Sequence, residues 1–185
     1  MSILIKSARA AFLNVFKATA FAGTGNYSYS GTFIFPPDSP NVKVIEDEML
    51  RVATEKWGER APAIIAKLRS KNMLALHDVS GKVGMDDIAG NVYLTARNTV
   101  RPTVVRKDNS LLTEADGVIY PGCYVHAIVD IWAQDNQFGQ RINASLLSVR
   151  FSRDGPAFGG SPPALTANAV DFDGLTDQDD EELLT

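Results

Sequence analysis

The stretch GCYVHAIVDIWAQ (122–134) holds side chains that could engage a flat, charged ligand. Its even positions, Tyr124, His126, Ile128, Asp130, Trp132 and Gln134, set aromatic rings among polar groups. Its odd positions, Cys123, Val125, Ala127, Val129, Ile131 and Ala133, are small to medium and apolar. A period of two places these sets on opposite faces of a strand, the apolar one toward a core. Rings and polar groups on the other face suit base stacking, because every base offers a π-face and stacking contributes ~1–3 kcal/mol per base. NVYLTARN (91–98) repeats the pattern, with Val92, Leu94 and Ala96 on one side, Tyr93, Thr95 and Arg97 on the other, and Arg101, Arg106 and Lys107 following. Cations spaced among exposed rings make a groove that follows phosphates by charge while the rings meet bases. The same alternation also fits rings that cover a second layer, such as helices at 41–69, and periodicity does not separate the two.

Catalytic chemistry has thinner support. His77-Asp78 resembles half of a catalytic pair, but no nucleophile stands near it in sequence, and a surface histidine is the simpler reading. Asp86-Asp87 could hold Mg²⁺, yet adjacent acids point in different directions and such pairs are usually solvated. Gly81-Lys82 fails the phosphate-loop spacing on both sides. Cys123 is the single cysteine and His77 and His126 are the two histidines, so no intrachain disulfide and no zinc-type spacing arises. The expectation is therefore no catalytic residue, no metal and no cofactor, in a reducing, cytoplasmic setting.

The elements that must position these residues are mainly strands. RAAFLNVFKA reads as a first strand, since Asn14 and Lys17 break the apolar run too early for an export signal or a membrane span. NYSYSGTFIF (26–35) alternates Ser28, Ser30 and Thr32 with Tyr27, Tyr29, Phe33 and Phe35, a half-buried strand stopped by PPDSP. Val44, Ile45, Met49, Val52 and Ala53 have helical spacing, with a break at Gly58 and Pro62 opening a second segment, so two helices are expected over 41–69. Residues 70–90 carry three glycines without a sustained period and read as a mobile loop. Strands resume at 91–98, 102–107, 122–134 and 140–153, with DNQFG (135–139) as a tight connection. No βαβ alternation occurs.

Charge divides the chain. Residues 1–153 hold all 18 Lys and Arg against 14 acids, whereas eight acids and no base follow Arg153, so a body of net +4 carries a tail of −8. The end, DFDGLTDQDDEELLT (171–185), sets Phe172, Leu175, Leu183 and Leu184 among seven carboxylates. From Gly159 onward the composition is that of a disordered segment. Such asymmetry between segments signals nucleic-acid or membrane interaction, or a self-screening acidic tail, or simply a solubility device.

PGCYVHAIVDIWAQDNQFGQRINASLLSVRFSRDGPAFGG (121–160) resembles the C-terminal part of a group of bacteriophage single-stranded DNA-binding proteins with an OB-fold. The likeness lies in the G-C-Y start, the aromatic strand, the short N-containing turn, the I-x-A-x-L-x-x-V strand and the closing R-D-G-x-x-x-G-G. It extends upstream through RAAFLNVFKA, YSGTFIFPP and NVYLTARNTVRP, covering about residues 5–160. The helical insertion and the 70–90 loop depart from the family pattern in detail.

The resemblance implies a mainly β, OB-fold-like barrel over residues 1–158 with a helical insertion, and a disordered acidic tail over 159–185. It implies sequence-independent coating of single-stranded DNA during phage replication, recombination or repair, without catalysis, in the host cell cytoplasm. An OB barrel uses its central strands and flanking loops. Tyr93, Arg97, Arg101, Arg106, Lys107, Tyr124, Trp132, Phe138, Arg141 and Arg150 are therefore the expected DNA contacts, with Lys71 and Lys82 closing over the strand from the loop. In the tail, Phe172, Asp177, Asp179, Asp180, Glu181, Glu182, Leu183 and Leu184 are expected to engage replication or recombination proteins and to compete with DNA as a polyanion. No membrane partner is expected, and self-association is left open. The rival readings are a β-rich virion or assembly protein whose rings form a subunit interface, and an enzyme using His77, Asp86 and Asp87 on nucleic acid.

Overall fold

The computed structural model describes residues 1–20, 25–78 and 90–158. In chain order the elements are β1 (Ser2–Ala20), β2 (Tyr27–Phe35), α1 (Pro40–Trp57), α2 (Ala61–Ser70), β3 (Leu76–Asp78), β4 (Val92–Asn98), β5 (Thr103–Val105), β6 (Tyr124–Asn136) and β7 (Gly139–Arg153). They form one seven-stranded sheet in the order β3-β4-β2-β1-β6-β7-β5. All pairings are antiparallel except β5 with β7. The sheet curls until its two sides meet: Asn98 Nδ2 donates to the Leu146 carbonyl at 3.0 Å, and the Ile142 N–H donates to the Met73 carbonyl at 3.1 Å. This is the expected class, mainly β with a helical insertion.

The curl depends on β1, which pairs with β6 over Ser2–Arg9 and with β2 from Arg9 onward. Register shifts fall between Ile5 and Ala8 and between Ala11 and Asn14, and Ser7 (φ 50°) and Phe12 (φ 49°) lie in those gaps. An extra residue bends a strand and increases its twist, so these irregularities, with a third between Asn14 and Thr19, turn one long strand around a corner. The inward faces bury Ile5, Phe33, Leu94, Val125, Val129, Ile131, Ile142 and Leu146 in one core.

The helices plug this core and leave the outer aromatic face alone. Ser39 caps α1 by accepting from the Asn41 N–H at 3.3 Å, Pro40 occupies the first turn, and Gly58 (φ 58°) ends the helix. Ile45, Met49, Ala53 and Trp57 then join the same buried cluster as the strands. Asn41 also covers an open edge of β1, its amide exchanging hydrogen bonds with the Lys6 N–H and carbonyl at 2.9 and 2.8 Å. The helices expected over 41–69 therefore do not form a second layer over the rings.

Trp57 ties α1 to the β6–β7 hairpin, its indole N–H donating to Asp135 at 2.7 Å. That bond first, and the Gln140 amide second, hold the Asp135 carboxyl below its usual value. A depressed folded pKa contributes stability above the unfolded value, near ~3.9, that is lost as pH falls through the folded one. Trp57→Phe is expected to lower the urea midpoint at neutral pH, and the gap to wild type should narrow below about pH 4. Parallel urea titrations across pH check both points.

Three expectations change. Residues 70–90 are not wholly loop: Leu74, Ala75 and Leu76 are buried and β3 pairs with β4 in the register His77 to Tyr93, whereas 79–89 lie outside the described residues. The strand expected at 102–107 stops at Val105, because Asp108 accepts from Ser110 and Asn109 (φ 66°) turns the chain. The half-buried alternation of β2 fails beyond Gly31, since its outward Ile34 is covered by Tyr93 and Phe158.

That cover comes from residues 154–158, which run back over the outer sheet. Tyr120 Oη donates toward Asp154 and the Gly155 carbonyl, Arg9 donates to the Pro156 carbonyl at 2.8 Å, and Phe158 lies 4.1 Å beneath the Arg9 guanidinium. Gly122 (φ 110°) is where the strap comes closest, and a Cβ there would stand 2.2 Å from the Pro156 carbonyl oxygen. Gly122→Ala is expected to displace the strap and destabilise the fold by about 2 kcal/mol or more, from positive φ and clash together. Chemical denaturation measures this.

Candidate nucleic-acid interface

Two hairpins and the sheet between them build an open groove of about 900 Å³. The β1–β2 end supplies Asn26, Tyr27 and Ser28; β3 and β4 supply His77, Tyr93, Thr95 and Arg97; the β6–β7 hairpin supplies Trp132, Phe138 and Arg141. The hairpin tip is set by Asn136, whose Oδ1 accepts from the Phe138 N–H at 2.9 Å, and by Gly139 (φ 101°). This turn holds Phe138 80 % exposed above the groove.

Trp132 occupies the position its parity in β6 required, outward and 41 % exposed, while Ile131 beside it is buried. Its indole N–H donates to Ser145 Oγ at 3.0 Å, which fixes the ring against β7 and leaves a face toward the groove. Asn143 Nδ2 donates to Gln134 Oε1 at 3.1 Å, and Gln134 Nε2 donates to Asn136 Oδ1 at 3.2 Å. These bonded amides restrict the polar side chains around the ring, so less ordering is left for a ligand to impose.

Across the groove, Tyr93 stacks on His77 with centroids 5.0 Å apart and planes 24° apart. Burial first, and the Asp78 carboxylate second, push the Tyr93 phenol up, so it stays a neutral hydroxyl. Arg97 and Arg141 supply positive charge, and no carboxylate occurs among the described lining residues. Rings, amides and guanidinium groups without competing acids can stack planar groups and hold an anionic backbone. No group of three or more His, Cys, Asp or Glu gathers among the described residues to bind a metal.

Of the expected contacts, the groove brings together Tyr93, Arg97, Trp132, Phe138 and Arg141. Arg150 lies in a second hollow with Lys6 and His126. Tyr124 is at the far end of β6, under the Arg153 guanidinium at 3.6 Å and against Gly155. Arg106 is held by Asp116 at 3.1 Å and the Leu111 carbonyl, and Lys107 sits 5.9 Å over the Phe151 ring. Arg101 and Lys71 are exposed outside the groove lining. Lys82, Asp86 and Asp87, and the tail residues Phe172, Asp177, Asp179, Asp180, Glu181, Glu182, Leu183 and Leu184, lie outside the described residues. Sequence reasoning missed Tyr27 and His77 as groove residues. Tyr27 was legible as a ring in an alternating strand, whereas His77 depends on a three-residue strand too short to show a period.

The family model described as Enterobacter phage Enc34, ssDNA-binding protein, matches residues 1–184. The chain is 36% identical over 187 residues to protein p50 of Acyrthosiphon pisum secondary endosymbiont phage 1, covering 100% of this chain and 99% of that one. Among solved structures it is similar to the single-stranded DNA-binding protein from bacteriophage Enc34 in complex with ssDNA, with TM-score 0.71 and 26% identity over 85% of this chain and 89% of that one. It also shares the fold of gp2.5, a single-stranded DNA-binding protein encoded by bacteriophage T7, with TM-score 0.59 at 12% identity over 85% and 94% of the two chains.

Proposed function

We propose, because the chain belongs to the family of the Enterobacter phage Enc34 ssDNA-binding protein, that it coats single-stranded DNA without regard to sequence and acts by binding rather than by catalysis. The observation that carries this reading is the groove, free of carboxylates among the described residues, in which Trp132 is held ring-outward and Arg97 and Arg141 share the lining. Stacking on rings and charge pairing along phosphates are indifferent to base identity. The OB-fold-like barrel, residues 1–158, holds the strand. Residues 159–185 form a separate acidic segment that engages replication or recombination proteins through Phe172, Leu183, Leu184 and the carboxylates around them. The protein works in the host cytoplasm during infection. His77 serves as a ring beneath Tyr93, not as a base, and a nuclease assay with and without Mg²⁺ is expected to show no cleavage.

Fluorescence anisotropy with oligo-dT tests the binding itself. Affinity is expected to fall with salt at about 0.7 log units per log unit of salt for each phosphate neutralised on a single strand. The two groove cations, Arg97 and Arg141, correspond to a slope of about −1.4, and each further engaged cation adds about −0.7. A flat response would remove the electrostatic half of this reading.

A further inference from the structure

We infer that the hollow formed by Leu4, Lys6, His126, Ile128, Ser148 and Arg150 is a second phosphodiester site, taking the part of a bound single strand that runs on past Trp132. The inference rests on the single-stranded DNA reading above and extends its path. The hollow has a volume of about 400 Å³ and lies on the same outer face of β6 and β7 as the main groove. Ile128 is four residues from Trp132 with the same parity, which is about 13 Å along a strand.

The chemistry of the hollow is that of a phosphate seat with an apolar floor. Lys6 and Arg150 contribute two cations, and no carboxylate occurs among the described lining residues. Arg150 gives one donor to the Lys107 carbonyl, and a guanidinium carries five. His126 Nδ1 accepts the Ser7 N–H at 3.2 Å, so the neutral ring carries its proton on Nε2 as a donor. Burial first, then Arg150 and Lys6, push the His126 pKa down, which keeps this neutral tautomer at physiological pH. Leu4 and Ile128, 46 % and 39 % exposed, form a surface for a sugar or base. Asp130, between the two hollows on the same face, is paired with the Met1 ammonium at 3.4 Å. Its place on the same outer face as the main groove, about 13 Å along β6 from Trp132, favours the nucleic-acid backbone over an acidic peptide as occupant.

The test is anisotropy with full-length protein and oligo-dT from about 4 to about 16 nucleotides, the span of site sizes for one such fold. Wild-type affinity should step up once the strand reaches the second hollow. Lys6→Ala and Arg150→Ala should each lower that step, together roughly tenfold, and reduce the salt slope on the longest oligonucleotide by about 1.4. Binding of the shortest oligonucleotide should be unchanged. Arg150→Ala also removes a partner of the Lys107 carbonyl, so Lys6→Ala, whose side chain holds no other element in place, is the cleaner variant. An unchanged step, or losses equal at every length, overturns the second site while leaving the first groove standing. Lys6-dependent capture of free peptide 171–185 with no length step assigns the hollow to the chain's own acidic end and overturns it too. Failure of wild type to bind any length overturns the underlying reading, and this site with it.

Discussion

Trp132→Ala is expected to weaken single-stranded DNA binding by ~1–3 kcal/mol, roughly 5- to 150-fold, while the folded state loses little. The separation of the two effects follows from where the ring sits. It is 41 % exposed, outside the buried core, and its polar tie is a single bond to Ser145. Tyr93→Ala would be a poorer probe, because Tyr93 also packs on the Ala11 and Ile34 cluster and on His77, and its loss would loosen the sheet exterior. Phe138→Ala removes a ring that is 80 % exposed on a hairpin tip, so its stacking entails more ordering and its effect should be smaller. Trp132→Phe, which retains a π-face, should fall between wild type and alanine. Anisotropy paired with urea denaturation decides: unchanged affinity removes Trp132 from the interface, and a large drop in stability makes it a structural ring instead.

The outward placement of Trp132 was legible because the opposite face of β6, Val125, Ala127, Val129 and Ile131, is unbroken and apolar and admits one orientation. The same parity rule placed Tyr124 outward, and the strand obeys it. Parity says nothing, however, of a strap that returns from residues 154–158 to cover the ring. Arg106 escaped for a similar reason: its partner Asp116 is ten residues away across a turn that no period announces. Local alternation tells which face a side chain takes, and whether that face stays open depends on contacts between distant segments. The two helices were readable from Gly58, Pro62 and the spacing of Ile45, Met49 and Val52, but not that they would plug the core beneath the groove instead of shielding its rings. The corner in β1 had no signal at all, since the residues with positive φ, Ser7 and Phe12, are not glycine.

Removing residues 161–185 should tighten single-stranded DNA binding, most at low salt. The strap supplies the geometry: Phe158 and Tyr93 both pack on the Ala11 and Ile34 cluster, and Tyr93 lines the groove, so the last described residue lies on the outer face that also carries the groove. Of the eight acids after Arg153, seven lie in 171–185, which makes this end a tethered polyanion able to compete for an anion site. A tethered competitor can reach an effective concentration in the millimolar range. With an intrinsic dissociation constant a tenth of that concentration, the tail would lower apparent DNA affinity roughly tenfold, because only the unoccupied fraction binds. Salt near 0.15 M shortens the reach of charge to about 8 Å and should shrink the difference. The point of truncation matters. Cutting at 160 keeps Arg9 on Pro156 and Phe158 on Ile34, so the barrel should melt as before. Cutting at 153 would strip the strap, expose Ile34 and leave Arg9 without its carbonyl partner, which should lower stability and obscure any gain in affinity. Anisotropy over a salt series on full-length protein and the 1–160 form is the decisive comparison, and equal or weaker binding by 1–160 at every salt concentration would return the tail to a role in solubility.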